Sequence, residues 1–235
     1  MTDNIFRQPE QTDPYKIDCK NIGYTNYSLE ECVIGISMGK NYHKDEKLQS
    51  LINWALNRYK TVHILVADTL QRHNIKFSKK VSMDEARLIA KKQGDDWLAE
   101  NQEYLDDTHV IRWDDLLNLD EVKLYNKLLT SKYNATPEIR YNIDSTIKKA
   151  HFRFYKKDSK LFSITNFQEF YRQSKTYLLE EGAICSYIEN HMVGPVIYPG
   201  NMSFEYIVEP DGSVRRDRRF ISVSLYKNKS FKKAA

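Results

Sequence analysis

A serine closes the apolar run ECVIGIS (residues 31–37), and the chain turns polar immediately afterwards at Met38-Gly39-Lys40-Asn41. A hydroxyl at the top of a buried strand can cap a helix, hold a phosphate or attack an electrophile. Gly35 and Gly39 flank Ser37, so the backbone there can turn tightly and let a substrate approach. Two familiar frameworks are excluded. There is no Gly-x-Ser-x-Gly elbow around Ser37, and GISMGK lacks the spacing of a P-loop or a dinucleotide fingerprint. A second group lies in TYLLEEGA (residues 176–183), where Tyr177 and Glu181 are four apart and share one helix face. A third is Tyr198-Pro199 in VGPVIYPG, at a strand-to-loop edge. Taken singly, each has a structural reading: a tyrosine capping the core beside a solvated acid, and a turn.

The elements that must carry these groups are legible from periodicity. Residues 31–37 form a short buried strand. Leu48, Leu51, Ile52 and Ala55 recur at helical spacing and predict a helix over 45–59. TVHILVAD (61–68) is almost continuously apolar, as in a parallel sheet covered on both faces. Ser82 and Glu85 in SMDE match a capping box that starts a helix running toward residue 101, with Gly94 as a disturbance. THVIRW (108–113) is a third strand, two or three helices follow between 115 and 160, and residues 165–191 form a long helix with Gly182 as a weak point. GPVIYPG, FEYIVE and ISVSLY supply short strands near the end. The pattern is α/β: a Rossmann-like parallel sheet with flanking helices. Residues 1–25 read as a flexible N-terminal arm and 26–235 as a single Rossmann-like domain.

Composition narrows the class. The chain has 235 residues with a net charge of +4, and 41% of its residues are hydrophobic, enough for a sizeable core. No stretch has the apolar length to span a bilayer, and the polar start MTDNIFRQPEQTDPYK has no signal-peptide core. Cys19, Cys32 and Cys185 are too few and too scattered for a disulfide framework or zinc site, which fits a reducing cytoplasm. The 16 tyrosines require many phenols to be part-buried with polar partners. Cations cluster in KFSKK (76–80), at Lys91 and Lys92, in RRDRR (215–219) and in the tail, a distribution that suits a polyanion as well as an ordinary solvated surface.

Together, Gly-Ile-Ser at 35–37, Tyr-Leu-Leu-Glu-Glu at 177–181 and Tyr-Pro at 198–199 resemble the cyclodipeptide synthases, over residues 31–226. That family joins two aminoacyl groups from charged tRNAs into a diketopiperazine, and its fold resembles the catalytic domain of class I tyrosyl- and tryptophanyl-tRNA synthetases. Of its two branches, one carries asparagine three residues after the serine. Here that position is Lys40, and Tyr198-Pro199 is present, so the chain resembles the second branch. Asn41 lies one place late.

The resemblance implies a ping-pong cycle through a seryl aminoacyl-enzyme and a dipeptidyl-enzyme, with two aminoacyl-tRNAs per cycle, a monomeric enzyme and no metal, organic cofactor or membrane. Ser37 is then the nucleophile. Glu181 holds the substrate amino group, Tyr177 shares that hydrogen bond, and Tyr198 donates to the oxyanion or relays a proton. Val33, Gly35, Val66, Ile184 and Val196 are candidate walls of the first aminoacyl pocket, with Pro199 beside them. Lys40 either biases side-chain selection or contacts the tRNA end. Lys79, Lys80, Arg87, Lys91 and Lys92 would meet tRNA phosphates. Substrates already activated as esters need no ATP, in keeping with the missing HIGH signature. The other classes open to this sequence are a serine esterase or aminoacyl-tRNA hydrolase and a non-catalytic tRNA-binding module.

Overall fold

A computed structural model of the chain describes residues 13–20, 30–200, 206–216 and 219–229. Its centre is a six-stranded sheet of β1 (Tyr15–Lys20), β2 (Glu31–Ser37), β3 (Thr61–Ala67), β4 (His109–Arg112), β5 (Val196–Pro199) and β8 (Phe220–Lys227), in the order β1-β8-β5-β2-β3-β4. All neighbours pair in parallel except β1 on β8. A separate antiparallel pair joins β6 (Ile207–Val208) to β7 (Val214–Arg215). The helices are α1 (Asp45–Leu56), α2 (Arg72–Lys79), α3 (Met83–Glu100), α4 (Trp113–Leu117), α5 (Asp120–Ala135), α6 (Pro137–Tyr155) and α7 (Phe167–His191).

The Rossmann-like expectation is met. The near-continuous apolar strands β2 and β3 need cover on both faces, and they have it. Val33, Leu65 and Val196 pack with residues of α5, α6 and α7. Ile34, Ile36, Ile64 and Val66 pack with α1, Trp97 of α3, Ile221 and Val223. From β2 the chain steps outward through β3 to β4. It then returns to the other side of β2 for β5 and β8. The order therefore reverses between β2 and β5, and a crevice opens at such a reversal beyond the carboxyl ends of the strands.

Three expectations change. Residues 15–20, assigned to the flexible arm, form an edge strand whose Tyr15, Ile17 and Cys19 alternate with Lys16 and Asp18. The remainder of residues 1–25 lies outside the described residues, apart from 13 and 14. Gly94 does not disturb α3. A side chain there would put its Cβ 2.4 Å from Asp68 Oδ2, so glycine is what lets the helix approach the end of β3. Gly182 is likewise buried within an unbroken α7. Ser82 caps α3 as expected, its hydroxyl accepting from the Glu85 amide at 3.1 Å.

The part-buried tyrosines have the polar partners expected of them. Tyr133 and Tyr171 hydroxyls lie 2.7 Å apart, and both donate to Asp144 Oδ1, tying α5, α6 and α7 together. No described helix is long and apolar enough to cross a membrane. The three cysteines are free thiols.

Candidate active site

Ser37 is the last residue of β2, and Tyr198 lies near the end of β5, so the two flank the crevice at the reversal. Their hydroxyls are 3.0 Å apart. Tyr177 and Glu181 come from the middle of α7, which packs in the core layer with Val33, Leu65 and Val196. All four line one cavity of about 430 Å³, together with Gln71, Asn74, Thr146, Arg153 and Ser174. Lys40 also lines it and is exposed. Three motifs separated by as many as 161 positions thus meet at one place.

The loop after β2 completes the site. Gly39 has φ of +74°, a left-handed turn that favours glycine, and it folds residues 40–43 back over the strand end. Tyr42 OH then sits 2.9 Å from Tyr198 OH, so three hydroxyls run in a row from Ser37 through Tyr198 to Tyr42. Burial raises the Tyr42 pKa, and the contact with Tyr198 adds to the rise. Burial also drives Tyr177 well up, reinforced by the nearby Glu181 carboxylate. Both phenols keep their protons at neutral pH and serve as donors.

His43 is 1% exposed and sits behind this row. Its Nδ1 lies 2.9 Å from the Ser37 amide nitrogen and 3.2 Å from the Ser37 carbonyl oxygen. The shorter contact requires a lone pair on Nδ1, which places the proton on Nε2. Burial lowers the imidazole pKa to about 4, against the pull of the Ser37 carbonyl, which would accept from the cation. The ring is edge-on to Tyr42 and Tyr198, at centroid distances of 4.5 and 5.5 Å, and the Trp97 indole donates to the His43 carbonyl at 2.7 Å. His43 therefore holds the Ser37 backbone and is no base for the hydroxyl. Neither Tyr42 nor His43 is among the residues that the sequence singles out. The available signal is two aromatic rings in a polar loop just after a glycine.

Glu180 and Glu181 divide their work by the 100° that separates successive helical positions. Glu180 is 3% exposed. It accepts from both terminal nitrogens of the Arg72 guanidinium, from Trp113 Nε1 at 2.7 Å and, at 3.5 Å, contacts His73. Burial alone would raise its pKa, but these donors outweigh burial and lower it. It clamps α2 and α4 against α7, and Glu181 alone of the pair lines the cavity.

The proposed pocket walls separate by strand parity. Residues alternate across a sheet, and a shift of one moves a side chain to the other face. Val33, Gly35 and Ser37 share a face. In register opposite them stand His63, Leu65 and Ala67, whereas Val66 stands opposite Ile36 and packs in the other core layer. Leu65, not Val66, is therefore the residue of β3 on the serine side. Pro199 pairs with Val223 of that other layer, so it too leaves the site. Val33, Ile184 and Val196 belong to the core layer on the serine side and are not among the residues lining the cavity, and Gly35 lies against Tyr198.

The expected tRNA-binding cations lie on α3 and at the end of α2. Lys79, Lys80, Arg87, Lys91 and Lys92 are all exposed, but Arg87 is paired with Asp114 at 2.8 Å and Lys92 with Asp96 at 2.8 Å. α3 itself carries Asp84, Glu85, Asp95, Asp96 and Glu100 against three cations. Among the described residues no group of three or more His, Cys, Asp or Glu is placed to hold a metal ion.

An open parallel sheet with a hydroxyl row at its switch point and a carboxylate across the cavity defines a Rossmann-like group-transfer site. The cyclodipeptide synthase family model matches residues 12–175. The chain belongs to that family, whose members are enzymes that make cyclodipeptides from aminoacyl-tRNAs. No curated protein matches it. Among solved structures, it is similar to a cyclodipeptide synthase from Fluoribacter dumoffii, with TM-score 0.78 and 23% identity over 91% of this chain and 99% of that one. A cyclodipeptide synthase from Candidatus Glomeribacter gigasporarum, bound to Phe-tRNAPhe, matches with TM-score 0.60 and 23% identity over 74% and 78%. A Mycobacterium tuberculosis protein, described as relating these synthetases to type I tRNA synthetases, matches with TM-score 0.62 and 15% identity over 92% and 94%.

Proposed function

We propose that this enzyme forms a cyclic dipeptide from two aminoacyl-tRNAs by ping-pong covalent catalysis at Ser37. The observation that carries the reading is the convergence of Ser37, Tyr177, Glu181 and Tyr198 on one cavity. Family membership supplies the substrate class, and the Phe-tRNAPhe bound to a structural relative is consistent with it.

In the first step Ser37 Oγ bonds to the carbonyl carbon of an aminoacyl ester, and the bond to the tRNA ribose oxygen breaks. Tyr198 orients Oγ and donates toward the oxyanion, and Tyr42, a phenol that keeps its proton, holds the Tyr198 hydroxyl in place. The proton ends on the departing ribose oxygen. Transfer from one ester to another is nearly isoenergetic, which removes any need for ATP. In the second step the amine of the seryl ester attacks a second aminoacyl-tRNA, forming an amide and releasing the second tRNA. Glu181, with Tyr177 beside it, anchors the ammonium and accepts its proton, since only the neutral amine attacks. In the third step the new terminal amine attacks the seryl ester, closes the six-membered ring and returns a proton to Ser37. Holding both ends in one cavity supplies rate by proximity.

Lys40 and Tyr198-Pro199 support the reading that the chain belongs to the branch without the asparagine. The described fold is read as a single domain, acting as a monomer in the cytoplasm where charged tRNA is made. The test is mass spectrometry on the purified enzyme with charged tRNAs. Wild type should give a diketopiperazine, and Ser37→Ala should give none and no aminoacyl adduct on the protein. Free amino acid as the sole product would identify a hydrolase. A cyclic product from Ser37→Ala would overturn the covalent route.

A further inference from the structure

Among the described residues Lys40 at the cavity and Lys91 on α3 have no ion-pair partner, but the longest run of such cations near the cavity lies on α6. Residues 148–160 read KKAHFRFYKKDSK: Lys148, Lys149, Arg153, Lys156, Lys157 and Lys160 against the single acid Asp158. Lys148, Phe152 and Lys156 are spaced by four, and so are Lys149, Arg153 and Lys157. The two rows lie side by side along the helix and its final turn. All six cations are exposed. Among the described residues none has an ion-pair partner, whereas Arg87 and Lys92 of α3 do. Like charges at this spacing oppose helix formation. Cations complement a helix C-terminus within its last turn, but Lys148 and Lys149 lie well before it. An uncompensated stripe two rows wide is better suited to an external polyanion than to the helix itself.

The stripe also adjoins the chemistry. Ala150, Arg153 and Phe154 line the cavity that contains Ser37, so Arg153 belongs to both. Aromatic rings are interleaved with the cations. Phe152 is 61% exposed beneath Lys156, whose Nζ lies 4.5 Å from the ring centroid, and Tyr155 is 45% exposed. Cations that track a phosphate backbone, alternating with rings on which unpaired bases stack, are the physical requirements for a helical stem that ends in a single strand.

We propose that α6 and its C-terminal turn form the principal phosphate-binding surface for the tRNA, guiding its single-stranded end past Arg153 into the cavity. This rests on the reading that the substrate is an aminoacyl-tRNA. The α3 cations then contribute little, because acids on and around that helix offset them.

The test is binding of deacylated bulk tRNA, measured by fluorescence anisotropy from 50 to 300 mM salt, for wild type, Lys149→Gln/Lys156→Gln/Lys157→Gln and Lys91→Glu/Lys92→Glu. Removing one cation that neutralises a phosphate should flatten the slope of log K against log salt by about 0.7–0.9. The α6 triple variant should lose about 2 from that slope and bind about tenfold more weakly at low salt, with an unchanged melting curve. The α3 variant should keep the wild-type slope. A triple variant with the wild-type slope, or loss of slope in the α3 variant alone, would overturn the proposal. The assay needs no turnover, so tRNA binding without cyclic product would sink the proposed reaction and leave the surface standing. Wild type that fails to bind tRNA would sink both.

Discussion

With Ser37, Tyr198 and Tyr42 in a row, each hydroxyl has a different consequence. Tyr198→Phe removes the only one of the two phenols that touches Ser37 Oγ, and should lower the rate of cyclic dipeptide formation by about 10²–10³-fold. Tyr42→Phe leaves that contact intact and removes one neutral hydrogen bond, so a fall of about tenfold is expected. Equal losses in initial-rate assays would show that the phenols act as a unit. His43 predicts a pH dependence of stability. Its folded pKa of about 4 lies below the unfolded value of 6.5, so the unfolded chain takes up a proton first as pH falls. Stability is unaffected above pH 6.5 and declines from there toward pH 4, by on the order of 3 kcal/mol in full. His43→Asn removes the titration and retains an acceptor for the Ser37 amide. In urea unfolding at pH 7 and pH 5, it should lose less stability than wild type between the two pH values. The candidate catalytic residues are legible in the sequence because their types are chemically demanding and their spacing is distinctive. His43 is not, since a lone histidine in a polar loop carries no mark of the fold that buries it.

At the scale of elements, two contacts position the site. α3 reaches the end of β3 only because residue 94 has no side chain. Asp68, which it meets, is pinned by Arg112 and by the Thr69 amide at 2.7 Å. Gly94→Ala should therefore destabilise by about 1–3 kcal/mol in urea unfolding, in spite of alanine's better helix propensity. A stabilised variant would mean that Asp68 can move. Glu180→Ala should cost about 3–5 kcal/mol, because it leaves the Arg72 charge, 12% exposed, without its carboxylate. Glu181→Gln should instead abolish turnover with little change in stability. The lowered pKa of Glu180 adds stability that is present above its unfolded value of 4.5 and is lost as pH falls through the folded one. The strands and long helices are readable from period. β1 escapes such a reading although its alternation is regular, because polar stretches on either side conceal it. Val66 is off by one position, since Ile64, Leu65 and Val66 form an apolar run across both faces and nothing local marks the parity at that end of the strand.

For the molecule as a whole, the reversal between β2 and β5 explains why the candidate nucleophile comes from one half of the chain and its partners from the other. Nothing in local periodicity specifies strand order, so the meeting of Ser37 and Tyr198 follows from motif resemblance and not from the elements alone. Charge obeys the same rule. Clusters counted along the sequence point to α3, but the acids that offset it, and the stripe that α6 presents at the cavity, become apparent only when the chain is folded.

β1 pairs along its whole length with β8, and the Asn228 amide donates to the Pro14 carbonyl at 2.8 Å. The first described strand thus waits for the last. About two hundred residues separate the partners, and at about 5–20 residues per second a ribosome needs about 10–40 s to make them. Throughout that interval β1 has no sheet to join, and β5 lacks its neighbour on one side. The serine-bearing strand and its helices are synthesised before β8, so the sheet gains β1 only once residues 220–227 have been made. A nascent chain stalled before residue 220 should therefore remain open to proteolysis at its N-terminal strand, however well its middle has packed.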